Sequence, residues 1–113
     1  MMVSIIVPMY NEERNIGRTF GELQQEMTKH PKLDYEVLFI NDGSIDDSLK
    51  IARQLSETNP KLKIFGYPQN QGRGKALRTG FENAKGEIID YFDGKKDIKN
   101  REMINNANFF FIL

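Results

Sequence analysis

The sequence predicts an α/β domain, an open and mostly parallel sheet with helices on both faces. Apolar runs at Val3–Val7, Tyr35–Ile40, Leu62–Tyr67 and Glu87–Phe92 alternate with three stretches of helical periodicity. The first two runs lack the polar alternation of a half-exposed strand and read as strands covered on both sides. Each run ends in proline or a polar cluster, and open α/β sheets keep ligands in the crevice beyond the carboxyl ends of their strands.

In order, Pro8 marks the end of the first strand because it has no N–H for a ladder. Asn11 is the expected N-cap of the first helix, with Glu12 and Glu13 in its first turn, where acids are favoured. Ile16, Phe20, Leu23 and Met27 form the inner face of that helix. Gly17 and Gly21 weaken it unless they permit close packing on the sheet, and Pro31 stops it. After the second strand, Ser44 and Asp47 have capping-box-like spacing. Ile45, Leu49, Ala52 and Leu55 then give the inner face of the second helix, which Asn59-Pro60 closes. Leu62–Tyr67 alternates weakly and ends at Pro68, which suits a strand nearer an edge. The loop Gln69–Lys75 leads into a helix with Ala76, Leu77, Gly80, Phe81 and Ala84 inside, ended at Lys85-Gly86 by a glycine in left-handed geometry. Right-handed crossovers are expected.

At 113 residues the chain is at most one domain. Sixteen basic and sixteen acidic residues balance, which argues against a nucleic-acid binder driven by bulk electrostatics. The absence of cysteine removes disulfides, thiolate nucleophiles and cysteine-based zinc sites. His30 stands alone beside Pro31 and reads as a solvated residue near a helix end. No apolar run could span a bilayer, and the start has no leader pattern, so a cytoplasmic domain, at most peripheral to a membrane, is expected. Asp97–Asn108 is polar, with Met103, Ile104 and Ala107 as a thin helical face. Phe109–Leu113 ends on five apolar residues that call for a partner surface, another chain or a continuation. The continuation is the preferred reading: residues 1–98 form the folded unit, and 99–113 are a C-terminal tail, the truncated start of a longer chain.

Three strand ends offer chemistry. Gly72-Arg73-Gly74-Lys75 lacks both the full phosphate-loop and the dinucleotide patterns, since Gln69, Ala76 and Leu77 stand at their required positions. Glycines there still let the backbone approach a ligand, and Arg73 and Lys75 at a helix start attract anions; a solvated basic turn is the plain alternative. Asp42 can accept the ring N–H that uracil and guanine present on their pairing edge, or it can be a turn residue in Asn41-Asp42-Gly43. Asp93 can hold a divalent cation that bridges a diphosphate, or simply end a strand.

Taken together, Val7-Pro8-Met9-Tyr10-Asn11-Glu12, Asn41-Asp42-Gly43-Ser44, Asn70-x-Gly72 with Gly74-Lys75-Ala76 and Gly80, and Asp93 occur in this order after successive strands. This constellation closely resembles the family 2 glycosyltransferases with the Rossmann-like GT-A fold, most of all the branch that makes dolichyl- or polyprenyl-phosphate mannose and glucose. The likeness covers about residues 3–99 and corresponds to the nucleotide-binding front half of such an enzyme. It implies transfer of a sugar from a UDP- or GDP-sugar to an acceptor such as a polyprenyl phosphate. It also implies that Pro8, Tyr10 and Glu12 line the nucleoside pocket and that Asp42 reads the base. Arg73 and Lys75 would lie near the base or diphosphate, with Gly72 and Gly74 giving access. Asp93 would be the catalytic, metal-holding acid for Mg2+ or Mn2+. The chain departs from the pattern at Lys95, which stands where the second metal-binding acid belongs. A non-catalytic nucleotide-sugar-binding module, with Phe109–Leu113 docked on a partner chain, is the alternative.

Overall fold

The computed structural model describes residues 2–91. The expectations placed on Phe92, Asp93, Lys95, Asp97–Asn108 and the Phe109–Leu113 tail, with the boundary at residue 98, lie outside the described residues. The elements run β1 (Met2–Met9), α1 (Ile16–Thr28), β2 (Asp34–Asp42), α2 (Ser48–Thr58), β3 (Leu62–Tyr67), α3 (Arg73–Asn83) and β4 (Ile88–Tyr91). The strands form one parallel sheet in the order β3-β2-β1-β4. β3 is at an edge, as its weak alternation and Pro68 predict.

The uniformly apolar strands are buried because both faces are covered. Val3, Ile5, Val7 and Met9 of β1, with Val37 and Phe39 of β2, pack under Ile16, Phe20, Leu23 and Met27 of α1 and Ala52 of α2. Phe20 meets Phe39 edge-to-face, with ring centroids 6.2 Å apart. On the other face Ile6, Leu38 and Ile40 meet Ala76 of α3, flanked by Leu77 and Phe81. The chain steps β1 to β2 to β3 in one direction over the α1/α2 face, then returns across the opposite face through α3 to β4. All three crossovers therefore share one hand.

Several boundaries differ from expectation. β1 runs through Pro8 to Met9, paired with Ile40 and Asn41. The Met2 carbonyl accepts the Glu87 N–H on the β4 side. Alternate residues of a strand share a side, so the missing N–H of Pro8 faces that side too, beyond the last described pair, Ile6–Tyr91. Asn11 is not the cap of α1. It takes a left-handed φ of 51°, and a turn from Glu12 delays the helix, whose N-cap is Asn15. A Cβ on Gly17 or Gly21 would meet nothing within 4 Å, so neither serves close packing. The N-cap of α2 is Asp47 rather than Ser44, and Ile45 is 88% exposed instead of facing the core. α3 ends at Asn83, and Gly86 is not left-handed; a Cβ there would lie 2.6 Å from Ser4 Oγ, so glycine is needed for close approach to β1. His30 is half-buried, and its shielded Nε2 has no partner among the described residues.

Near the amino ends of the strands, Glu36 is buried at 1% exposure. Its carboxylate accepts from Ser4 Oγ (2.7 Å), Lys63 Nζ (2.8 Å) and the Lys85 N–H (2.7 Å). Ser4 Oγ in turn accepts the Gly86 N–H at 2.7 Å. This cluster fastens the α3–β4 connection to β1 and β2. Among the described residues, no helix is long and apolar enough to cross a membrane.

Candidate functional site

At the carboxyl ends of the strands, the β1–α1 and β2–α2 loops are laced together. The Asn11 N–H donates to Ser44 Oγ (3.0 Å), the Glu12 N–H to Ser48 Oγ (2.8 Å) and the Glu13 N–H to Asp46 Oδ2 (3.2 Å). In return Asn11 Oδ1 accepts the Ile45 N–H (2.9 Å), and Glu13 Oε2 accepts the Asp47 N–H (3.1 Å). Backbone groups that a loop would otherwise leave to water are thus satisfied across two loops. Asp46 anchors the lacing through the N–H and hydroxyl of Ser48. Burial opposes its ionisation, but these bonds and the Glu13 N–H outweigh burial and hold its carboxyl below the usual range.

The second centre is Asp42, the last residue of β2 and 5% exposed. Asn41 turns toward α2, where its Oδ1 takes the Ser44 N–H (3.2 Å) and makes the turn that the Asn-Asp-Gly spelling suggests. Asp42 turns the other way, to the β3–α3 loop. Its Oδ1 accepts the Gln71 N–H (2.8 Å), while Oδ2 accepts the Gly72 N–H (3.1 Å) and Asn70 Nδ2 (2.9 Å). Gly43 lets the two loops meet: its φ is 66°, and a Cβ would fall 2.2 Å from the Asn70 nitrogen.

The other predicted residues surround this centre. Gly72, at φ 94°, is the N-cap of α3. Lys75 Nζ lies 5.9 Å from the Tyr67 ring centroid, and Tyr67 is the register partner of Asp42. The Arg73 guanidinium lies 5.3 Å from the Tyr91 ring on β4, so it reaches across the sheet toward the strand that precedes Asp93. Tyr10 stands on the rim, 43% exposed. Glu12 accepts Asn15 Nδ2 at 3.0 Å, and with Pro8 it lines a cavity of about 20 Å³ under α1. Gly74, with nothing within 4 Å of an added Cβ, leaves open space at the start of α3. Asp93 is outside the described residues, among which no three His, Cys, Asp or Glu side chains converge as a metal site.

Sequence reasoning did not find Asn11, Ser44, Asp46 and Ser48 as lacing residues, nor Asn70 and Tyr67 beside Asp42. The available signal was the density of short polar side chains in Asn41–Ser48, which favour side-chain-to-backbone bonds. The Tyr67 hydroxyl is shielded beside the Asp42 carboxylate. Burial, then the neighbouring Asp42 carboxylate, pushes its pKa up, so it stays protonated. An open cleft of about 390 Å³ flanks the β3 edge and adjoins these loops through Asn41, Gly43, Ser44 and Tyr67, with Arg53 and Pro68 on its other walls; none of the predicted site residues lines it.

Comparisons with known proteins agree on one family. The family model described as Glycosyl transferase family 2 matches residues 4–94. The uncharacterized glycosyltransferase YkcC of Bacillus subtilis (strain 168) is 41% identical over 90 residues, which cover 80% of this chain and 28% of that protein. Mannosyltransferase PcManGT from Pyrobaculum calidifontis, solved with GDP-Man and Mn2+, superposes with a TM-score of 0.73 at 27% identity, covering 90% of this chain and 31% of its own. S. aureus TarS 1–349, in complex with UDP-GlcNAc, gives 0.72 at 25% identity, covering 96% and 30%. The chain spans under a third of the length of each.

Proposed function

Because the chain belongs to glycosyl transferase family 2, we propose that its strand-end loops hold the nucleoside diphosphate of a UDP- or GDP-sugar, in an enzyme that passes the sugar to an acceptor. The observation that supports this most is the placement of Asp42, a buried carboxylate joined to the glycine loop that opens α3. Asp42 takes a ring N–H of the base, Tyr10 offers its ring on the rim, and Glu12 lies toward the ribose with Pro8 beneath it. Arg73 and Lys75 face the diphosphate, and Gly72 and Gly74 leave it room. An acceptor oxygen attacks the anomeric carbon as the bond to the diphosphate oxygen breaks on the opposite face, and the nucleoside diphosphate departs with the electron pair. A lipid phosphate acceptor, which the motif spellings suggest, is already ionised and gives up no proton.

Asp93 is the residue at which the family resemblance would put a metal. Mn2+ accompanies GDP-Man in the Pyrobaculum protein, but the donor set here is Asp93-Gly94-Lys95, one carboxylate and one ammonium. A divalent cation prefers several oxygens, so this set does not fit a dedicated site. The charge on the leaving diphosphate falls instead to Arg73, Lys75 and Lys95. The same substitution, Lys95 for an acid, favours a second reading: a binding module that holds the nucleotide sugar without turning it over.

Calorimetric titration of the 113-residue chain with UDP, GDP and ADP, each with and without Mn2+, tests both readings. The expected result is binding of UDP or GDP but not ADP, lost in Asp42→Ala and changed less than about twofold by Mn2+. Affinity unaltered in Asp42→Ala would overturn the site. Sugar transfer by the chain would exclude the binding-module reading.

A further inference from the structure

We propose that the open cleft between α2 and the β3 edge is a binding site in its own right, for a small organic anion. A carboxylate or phosphate group is held by Arg53, Asn41 and Ser44, and its apolar body lies along Leu49 and Ile64. None of these residues is among those given to the nucleotide, so the proposal is independent of that reading.

Leu49 and Arg53 stand one helical turn apart on α2 and form one wall of the cleft. Ile64 and Gly66, two apart on β3, share the sheet face that meets them. Gly66 is the register partner of Asn41, and a Cβ there would lie 2.5 Å from the Asn41 carbonyl oxygen. That position therefore carries no side chain, and Asn41 is left open to the cleft. At about 390 Å³ the hollow falls within the size range of small-molecule sites.

The polar groups of the cleft are rich in donors and short of acceptors. Asn41 is only 6% exposed, and its Oδ1 accepts the Ser44 N–H at 3.2 Å, which fixes the orientation of the amide. Its Nδ2, with two hydrogens to give, has no partner among the described residues. A polar group so deeply placed calls for one. The Ser44 hydroxyl accepts the Asn11 N–H at 3.0 Å and keeps its own proton to donate. Arg53, exposed at the mouth, adds a positive charge and a planar fork of donors that matches two oxygens of a carboxylate or phosphate. No acidic residue lines the cleft. Beside these donors, Leu49, Ile64 and Pro68 offer apolar surface that a bare inorganic anion would leave wet. The occupant that satisfies both parts is an anion on a short apolar body.

The test is an NMR titration of the 113-residue chain, labelled with nitrogen-15, at constant ionic strength. The probes are butyrate, butyl phosphate, inorganic phosphate and butanol. We expect butyrate or butyl phosphate to shift the Leu49, Arg53 and Gly66 amides and the Asn41 side-chain amide. The Kd should lie at least about tenfold below those of inorganic phosphate and butanol, and the tighter of the two anions identifies the head group. Arg53→Gln should raise that Kd at least about fivefold, while amides outside the cleft keep their positions. Inorganic phosphate binding as tightly overturns the proposal, because it reduces the cleft to one surface charge. Butanol binding as tightly overturns it by leaving only an apolar hollow. Affinity unchanged in Arg53→Gln, or no shift at about 50 mM of either organic anion, overturns it as well. If UDP or GDP shifts the same four signals, the cleft is part of the nucleotide site and the proposal of a separate one fails.

Discussion

Glu36 is a carboxylate with 1% of its surface exposed, surrounded by the Ser4 hydroxyl, the Lys63 ammonium and the Lys85 N–H. Burial alone would raise its pKa, but the donors outweigh burial and lower it from 4.5. A group whose folded pKa is depressed stabilises the fold above its unfolded pKa, and that stability is lost as pH falls through the folded value. Urea midpoints measured from pH 7 to pH 3 should therefore drop on the acid side, and Glu36→Gln should flatten part of that fall. Glu36→Ala, which strands Lys63 and two donors, should cost about 3 kcal/mol at neutral pH. Gly80 makes a packing demand of the same kind. A Cβ there would lie 2.5 Å from Ile6 Cγ2. Gly80→Ala should cost about 1–3 kcal/mol by overpacking, and Ile6→Val should recover part of it in the double variant.

Among the elements, α1 shows where local signals fail and why. Its inner face was legible because Ile16, Phe20, Leu23 and Met27 repeat at helical spacing, but its start was not. Asn11-Glu12-Glu13 spells a good cap and first turn, yet those backbone groups are taken by Ser44, Asp46 and Ser48, more than thirty positions away. Spacing along the chain carries no trace of such a partner. The Ile45 misreading has the same origin, since its N–H is drawn to Asn11 and its side chain points to solvent. Ser48→Ala should cost about 1 kcal/mol and speed hydrogen exchange at the Glu12 amide. Gly17 and Gly21 have open space where a Cβ would go. Gly17→Ala and Gly21→Ala should each raise stability by about 1 kcal/mol, read as a higher urea midpoint at unchanged slope.

For the whole molecule, strand order explains where the site lies. The chain leaves β1 for β2 and β3, then returns to place β4 on the other side of β1. This reversal opens the crevice at the carboxyl ends. Strand identity and the parallel sheet were legible because doubly covered strands must be apolar throughout. The site was legible as a set of strand ends, and Asp42 and Gly72 do meet. The inner arrangement was not legible: Asn70 and Tyr67 approach Asp42 only once β3 has paired beside β2. If the assembled site binds nucleotide, UDP at a hundred times its Kd should stabilise the chain by about 2.7 kcal/mol. Thermal unfolding should show this as a raised Tm, absent in Asp42→Ala.

The cluster beneath the sheet also imposes an order on biosynthesis. The Glu36 carboxylate waits for an amide 49 residues later, and the Ser4 hydroxyl for one 82 residues later. At ordinary ribosomal speeds that interval is on the order of ten seconds. Throughout it, β1 and β2 can pair while one edge of β1 stays open for the nascent chain. A slow codon or a chaperone acting before residue 86 would meet a half-closed sheet, whereas one acting later would meet a fastened one.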